Sequence, residues 1–136
     1  MAVQFDCFLN VAKDSLDKSG ETWTRNAISR AYYYMFHAVR DVINKPIPKN
    51  DKSGNPFPFG EHKRLSEYLC NGDAATDYNF DAAQLEKIGL KLRAAHHKRC
   101  DADYELHLKM NRLEAIKLLA VAENIKQEVD KLKQPE

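Results

Sequence analysis

Between Glu21 and Asn44 the chain reads ETWTRNAISRAYYYMFHAVRDVIN, 24 residues with neither proline nor glycine. With no helix breaker and ~3.6 residues per turn, Ile28, Ala31, Met35, Ala38 and Val42 fall on one stripe. Tyr32, Phe36, Val39 and Ile43 form a second stripe beside it. An apolar face two stripes wide predicts a central, mostly buried helix. A third stripe collects Asn26, Arg30, Tyr33, His37, Arg40 and Asn44. Hydrogen-bonding groups thus share one row, and function is to be sought there first.

The flanks repeat the helical period. Phe5, Phe8, Leu9, Ala12 and Leu16 predict a first helix over Phe5 to Lys18, closed by Ser19-Gly20; so short a connection sets it antiparallel to the second. Lys45 to Gly60, KPIPKNDKSGNPFPFG, holds four of the five prolines and reads as a loop. Phe57-Pro58-Phe59 would tack its end to the core and leave a mobile tip at Asn50 to Asn55. This segment is either a lid over the polar row or a plain insertion. Glu61 to Cys70 is a short third helix, followed by a polar link to about Asn79. Ala82, Leu85, Ile88, Leu92 and Ala95 place a fourth helix over Asp81 to Arg99, and the period breaks in Arg99 to Leu108, read as a turn or loose joint. A fifth helix runs from Met110 to Lys133. The expectation is one all-α domain over residues 1–136, a bundle of five helices with no strand.

Several classes of function are disfavoured. Apolar residues make up 43% and charged ones 30% of the chain, which fits a soluble, folded domain and no membrane span. A formal charge of +1 gives no global pull towards nucleic acid. The one basic cluster, GLKLRAAHHKR over 89–99, reads either as a local patch or as a helix end whose cations suit the dipole. Cys7, Cys70 and Cys100 are odd in number and make no CxxC pair, against a disulfide framework or a zinc site and in favour of the cytoplasm. The N-terminus lacks the basic and apolar regions of a signal peptide. Adjacent His96 and His97 project about 100° apart on a helix and do not chelate one metal together. No GxxxxGK[ST] or GxGxxG occurs. Neither metal nor cofactor is expected.

Three segments in order, SRAYYYMFHAVRDVI (29–43), GEHKRL (60–65) and RCDADYEL (99–106), resemble the HEPN superfamily, the helical domains named for higher eukaryotes and prokaryotes nucleotide-binding. The likeness is to its bacterial and archaeal branch with an S-R-A-Y-Y-x-M-F-H helix. It implies an up-and-down bundle of four or five helices that commonly dimerises. The functions it implies include metal-independent ribonucleases of toxin–antitoxin and phage-defence systems, and partners of minimal nucleotidyltransferases. This chain is then expected to interact with RNA or a nucleotide, with an antitoxin or a nucleotidyltransferase as partner. The alternative is a non-catalytic helical module that dimerises or docks a protein.

Ribonucleases of that superfamily carry an arginine, then four to six intervening residues, then a histidine; Arg30 and His37 have six residues between them. Positions i and i+7 return to nearly one azimuth, so both side chains are candidates to meet one phosphate. His37 would move a proton of the 2′-hydroxyl or the leaving oxygen, and Arg30 would stabilise the phosphorane. Tyr33, His62, Arg99, Asp103 and Tyr104 are the candidate binding residues. Each also has a structural reading. Arg30 would pair with Asp103, Tyr33 and His37 would satisfy neighbours, Asp101, Asp103 and Tyr104 would form a cap and a buried anchor, and His62 would cap its helix. Arg99 and His107, with seven residues between them, exceed the motif and stand in reserve.

Overall fold

A computed structural model describes residues 4–133. It is an all-helical bundle with six helices among the described residues: α1 (Asp6–Leu16), α2 (Glu21–Val42), α3 (Glu61–Cys70), α4 (Asp73–Tyr78), α5 (Ala82–Tyr104) and α6 (Arg112–Lys133). None of them is long and apolar enough to cross a membrane.

Both apolar stripes of α2 are buried, from Ala27 through Val42. The helix is central because each stripe meets a different neighbour. Start-to-end contacts fix the directions: Asn26 donates to Ser15 at 2.9 Å, while Phe5 lies 5.7 Å from Tyr34 and Phe8 5.1 Å from His37. Helices α1 and α2 are therefore antiparallel, turning at Gly20, whose φ of 107° lies where a side chain is strained. On the other flank the start of α2 faces the end of α5, with Ser29 on Asp103 at 3.2 Å.

Two expectations about the elements are corrected. The polar link after Cys70 contains α4, a six-residue helix held between left-handed Gly72 and Asn79; it is too short to show a period. Helix α5 does not stop at Arg99 but runs on to Tyr104. Its buried row, Ile88, Leu92, Ala95, Arg99 and Ala102, keeps the spacing 4, 3, 4, 3 throughout. The period only looked broken because one inward position carries an arginine.

Arg25 secures that extension. Its guanidinium donates to the carbonyls of Asp101, Ala102, Glu105 and Leu106 at 3.3, 2.9, 3.3 and 3.4 Å, and also to Leu108. These carbonyls belong to the last turn of α5 and the segment that follows it, so one side chain of α2 ties both down. An Arg25→Ala variant is expected to lose about 2 kcal/mol, with amide exchange over residues 101–108 rising before any other helix responds. Uniform exchange across the bundle would contradict this role.

The loop tip is a closed turn seated on α4. Asp51 and Asn55 close a turn, with backbone bonds of 2.9 Å from Asp51 N to Asn55 O and 3.0 Å from Gly54 N to Asp51 O. Lys52 fastens it to α4 through Asp73 at 3.1 Å and Asp77 at 2.5 Å. The tip sits on α4, and it is the far end of the loop, Phe59 and Gly60, that lines the cleft beside His62.

Candidate functional site

The polar groups that converge come from three helices. Arg30 and Tyr33 face out of α2, His62 opens α3, and His96, Arg99 and Asp103 lie on successive turns of α5. Tyr33 neighbours both arginines: Arg30 stands 4.9 Å and Arg99 5.4 Å from its ring centre. Arg99 also lies 5.6 Å from Tyr32 and 5.8 Å from Tyr104. A charge that is 7% exposed thus rests on aromatic faces rather than in water.

Hydrogen bonds join the two arginines through one hydroxyl. Arg30 donates to Ser29 Oγ at 3.1 Å, and Ser29 donates to Asp103 at 3.2 Å. Asp103 makes its ion pair with Arg99 at 3.6 Å. The expected Arg30–Asp103 pair is therefore corrected: Arg99 holds the carboxylate, and Arg30 reaches it only by way of Ser29. Asp103 pairs directly with Arg99 alone, and Nε of both arginines is buried without a partner. Two guanidiniums beside one carboxylate leave a net positive charge, which favours an anion.

Beside it lies a run of rings. Tyr32, fully buried, bonds His62 Nδ1 through its hydroxyl at 2.6 Å. His62 stacks on His96 at 5.4 Å with an interplanar angle of 6°, and Cys100 Sγ lies 3.6 Å from His96 Nε2. Burial, then the charge of Arg99, keeps His62 below the usual histidine range. Burial, then the neighbouring His62 and Arg99, takes His96 down to about 4. Burial raises the Tyr32 phenol. At neutral pH these imidazoles are uncharged.

His37 stands apart. Its ring stacks on Phe8 at 5.1 Å and meets Phe36 edge-on at 5.4 Å. Phe8 is also 5.7 Å from the Arg30 guanidinium, so an aromatic ring inserts between the two members of the i, i+7 pair. They share a stripe without a hydrogen bond between them among the described residues. Burial lowers the His37 pKa, and a neutral imidazole is the form that accepts a proton.

Other candidates resolve as follows. Tyr104 is 71% exposed, which corrects its reading as a buried anchor; it shields Arg99 from outside. His62 does not cap α3, for the N-cap position is Gly60, and its ring turns inward to Tyr32. His107 is exposed and 3.6 Å from Glu105, whereas Arg99 is buried, so the reserve pair is not assembled. In the 89–99 segment every cation named above is neutralised: Lys91 by Glu128 at 3.0 Å, Arg93 by Glu67 at 2.9 Å, Lys98 by Glu114 at 2.9 Å and Arg99 by Asp103. The cluster ties helices together rather than forming an open patch. Arg40 is likewise occupied, donating to the carbonyls of Ile43 and, at 2.9 Å, Lys45 at the end of α2.

Sequence reading missed Tyr32, Ser29 and His96 as members of this centre. Tyr32 sits on an apolar stripe, but a buried phenol needs a partner for its hydroxyl, and that requirement was the available signal. No family model, curated protein or solved structure matches the chain.

Proposed function

We propose that the chain is a HEPN-like domain that binds RNA or a nucleotide by a phosphate held between Arg30 and Arg99. The observation that carries this reading is the buried Arg99 guanidinium beside Arg30, with a single carboxylate, Asp103, paired to Arg99 and reached by Arg30 only through Ser29. Two planar cations fixed on Tyr33 are preorganised for phosphate oxygens and need no metal. Cleavage is the finer proposal. In it neutral His37 takes the 2′-hydroxyl proton as the 2′-oxygen attacks phosphorus, Arg30 stabilises the phosphorane, and the P–O5′ bond breaks with the leaving 5′-oxygen taking a proton from water. The setting proposed, on resemblance, is a defence or toxin–antitoxin system with an antitoxin or nucleotidyltransferase partner.

Incubation with a mixed RNA pool, with and without EDTA, tests both levels. Arg30→Ala and Arg99→Gln are each expected to weaken binding about tenfold or more, with helical content unchanged and no response to EDTA. His37→Ala should abolish cleavage and spare binding. Wild-type affinity in both arginine variants would remove the assignment.

A second reading, a module that dimerises or docks a protein, is favoured by apolar exposure. Trp23 and Leu106 line one groove, and Tyr104, Leu113 and Ile116 are 71%, 57% and 41% exposed. Exposed apolar side chains of this size are found at interaction surfaces. Sedimentation of wild type against Trp23→Ser/Leu106→Ser distinguishes it: a concentration-dependent dimer lost in the double variant supports it, and a monomer at every concentration counts against self-association.

A further inference from the structure

A cleft between α3 and α5 is left unused by the arginine pair. Two lobes of about 400 and about 300 Å3 share Phe59, Lys63 and His96 in their walls, a size in the range of small-molecule sites. The larger adds Arg93 and Glu67, the smaller Glu61 and His62. Arg93 is bonded to Glu67 at 2.9 Å, and Lys63 shares the smaller lobe with Glu61, so cations and carboxylates balance. Both imidazoles are held neutral by burial. A charge-balanced slot walled by rings favours a neutral, planar ligand over a free anion.

Tyr32 determines what His62 offers. The phenol is fully buried and His62 Nδ1 is its one hydrogen-bond partner among the described residues. If Nδ1 carried a proton, the Tyr32 hydroxyl hydrogen would be left buried without an acceptor. Tyr32 therefore donates, and the His62 proton resides on Nε2. The ring lining the smaller lobe thus brings an N–H donor in a fixed tautomer. Tyr32 also touches the arginine centre, 5.5 Å from the His62 ring and 5.6 Å from the Arg99 guanidinium, so cleft and centre share a wall.

We infer that this cleft is a base-binding subsite: it takes the heteroaromatic base of a nucleotide against Phe59 and His96, with His62 Nε2–H donating to an acceptor on the base edge. The inference rests on the reading of Arg30 and Arg99 as the phosphate site and adds the part of the ligand that those arginines do not select. Base stacking on aromatic side chains is tolerant of sequence, so any unpaired base fits, whereas a base-paired one is hidden from it.

The test uses the full chain and three probes: a labelled single-stranded RNA of about eight nucleotides, an abasic strand of equal length, and free adenosine. Wild type is expected to bind the base-bearing strand about tenfold more tightly than the abasic one. Phe59→Ala should bring the two strands to one affinity, and Phe59→Tyr should restore the difference. Equal affinity of both strands for wild type overturns the base subsite and leaves the phosphate reading standing. If neither strand binds while adenosine still shifts the His62 ring signals in NMR, the phosphate reading fails and the cleft survives; if adenosine has no effect either, both fall.

Discussion

Replacing Gly89 with valine is expected to lower the stability of the bundle by about 3 kcal/mol, or roughly 10 °C in thermal midpoint for a domain of this size. Helix propensity alone argues the reverse, because glycine inside a helix is about 1 kcal/mol worse than alanine. Packing decides the sign. A Cβ at position 89 would lie 2.7 Å from Cys70 Sγ, 3.0 Å from Leu69 Cβ and 3.1 Å from the Ser66 carbonyl oxygen. The thiol can rotate away, but Leu69 Cβ and the Ser66 carbonyl are fixed to the α3 backbone. Even alanine must push the two helices apart, and the branched valine must do so further. Thermal and urea unfolding of Gly89→Ala and Gly89→Val measure the effect, with alanine expected to fall between wild type and valine. A valine variant as stable as wild type would show that α3 and α5 are not in such close contact. The same displacement would separate the stacked His62 and His96 rings, so base discrimination should fall along with stability.

That close approach illustrates what periodicity reports and what it omits. Helix α2 was legible to within a residue or two, since an uninterrupted run with two apolar stripes has no other solution. The end of α5 was not, because the rule that inward positions are apolar fails where Arg99 is buried against Tyr32 and Tyr33. Nor was α4, which has six residues and two left-handed ends. Gly89, which periodicity passes over, is the position that lets α3 in.

The site was legible in composition more than in pairing. Arg30, Tyr33, His62, Arg99 and Asp103 do converge, drawn from segments far apart in the chain. The partners were misread. A one-dimensional row says which groups share a face of one helix, not which ring from α1 slides between them, so Phe8 between Arg30 and His37 had no signal. For the 89–99 cations the choice between a patch and a helix end stayed open because their acidic partners lie on α3 and α6.

Acidification from pH 7 to 5 is expected to remove about 2 kcal/mol of stability, most of it through His96. Its pKa falls from 6.5 to about 4 on folding, which corresponds to roughly 3 kcal/mol before allowance for partial exposure. The groups responsible surround it: burial first, then His62 from α3 and Arg99 on its own helix, with Lys63 and His97 adding to them. His37 and His62 are lowered as well. Because each folded-state pKa lies below the unfolded one, the unfolded chain binds more protons throughout this interval. Stability is therefore full above about pH 6.5, declines below it, and ceases to change on account of His96 below about 4. The carboxylates of Asp77 and Glu114, held low chiefly by bonds to Lys52 and to the Asn111 amide, act only at more acid pH, so the two effects separate. Urea unfolding at pH 7, 6 and 5 measures the slope, and His96→Phe, which keeps a ring but cannot titrate, should flatten most of it. An unchanged slope in that variant, or none in wild type, would place the imidazoles in water. Because folded His96 takes up its proton only near pH 4, charge beside Arg99 is unchanged by it over this interval, so affinity of the folded chain for a phosphate should stay nearly level while stability falls.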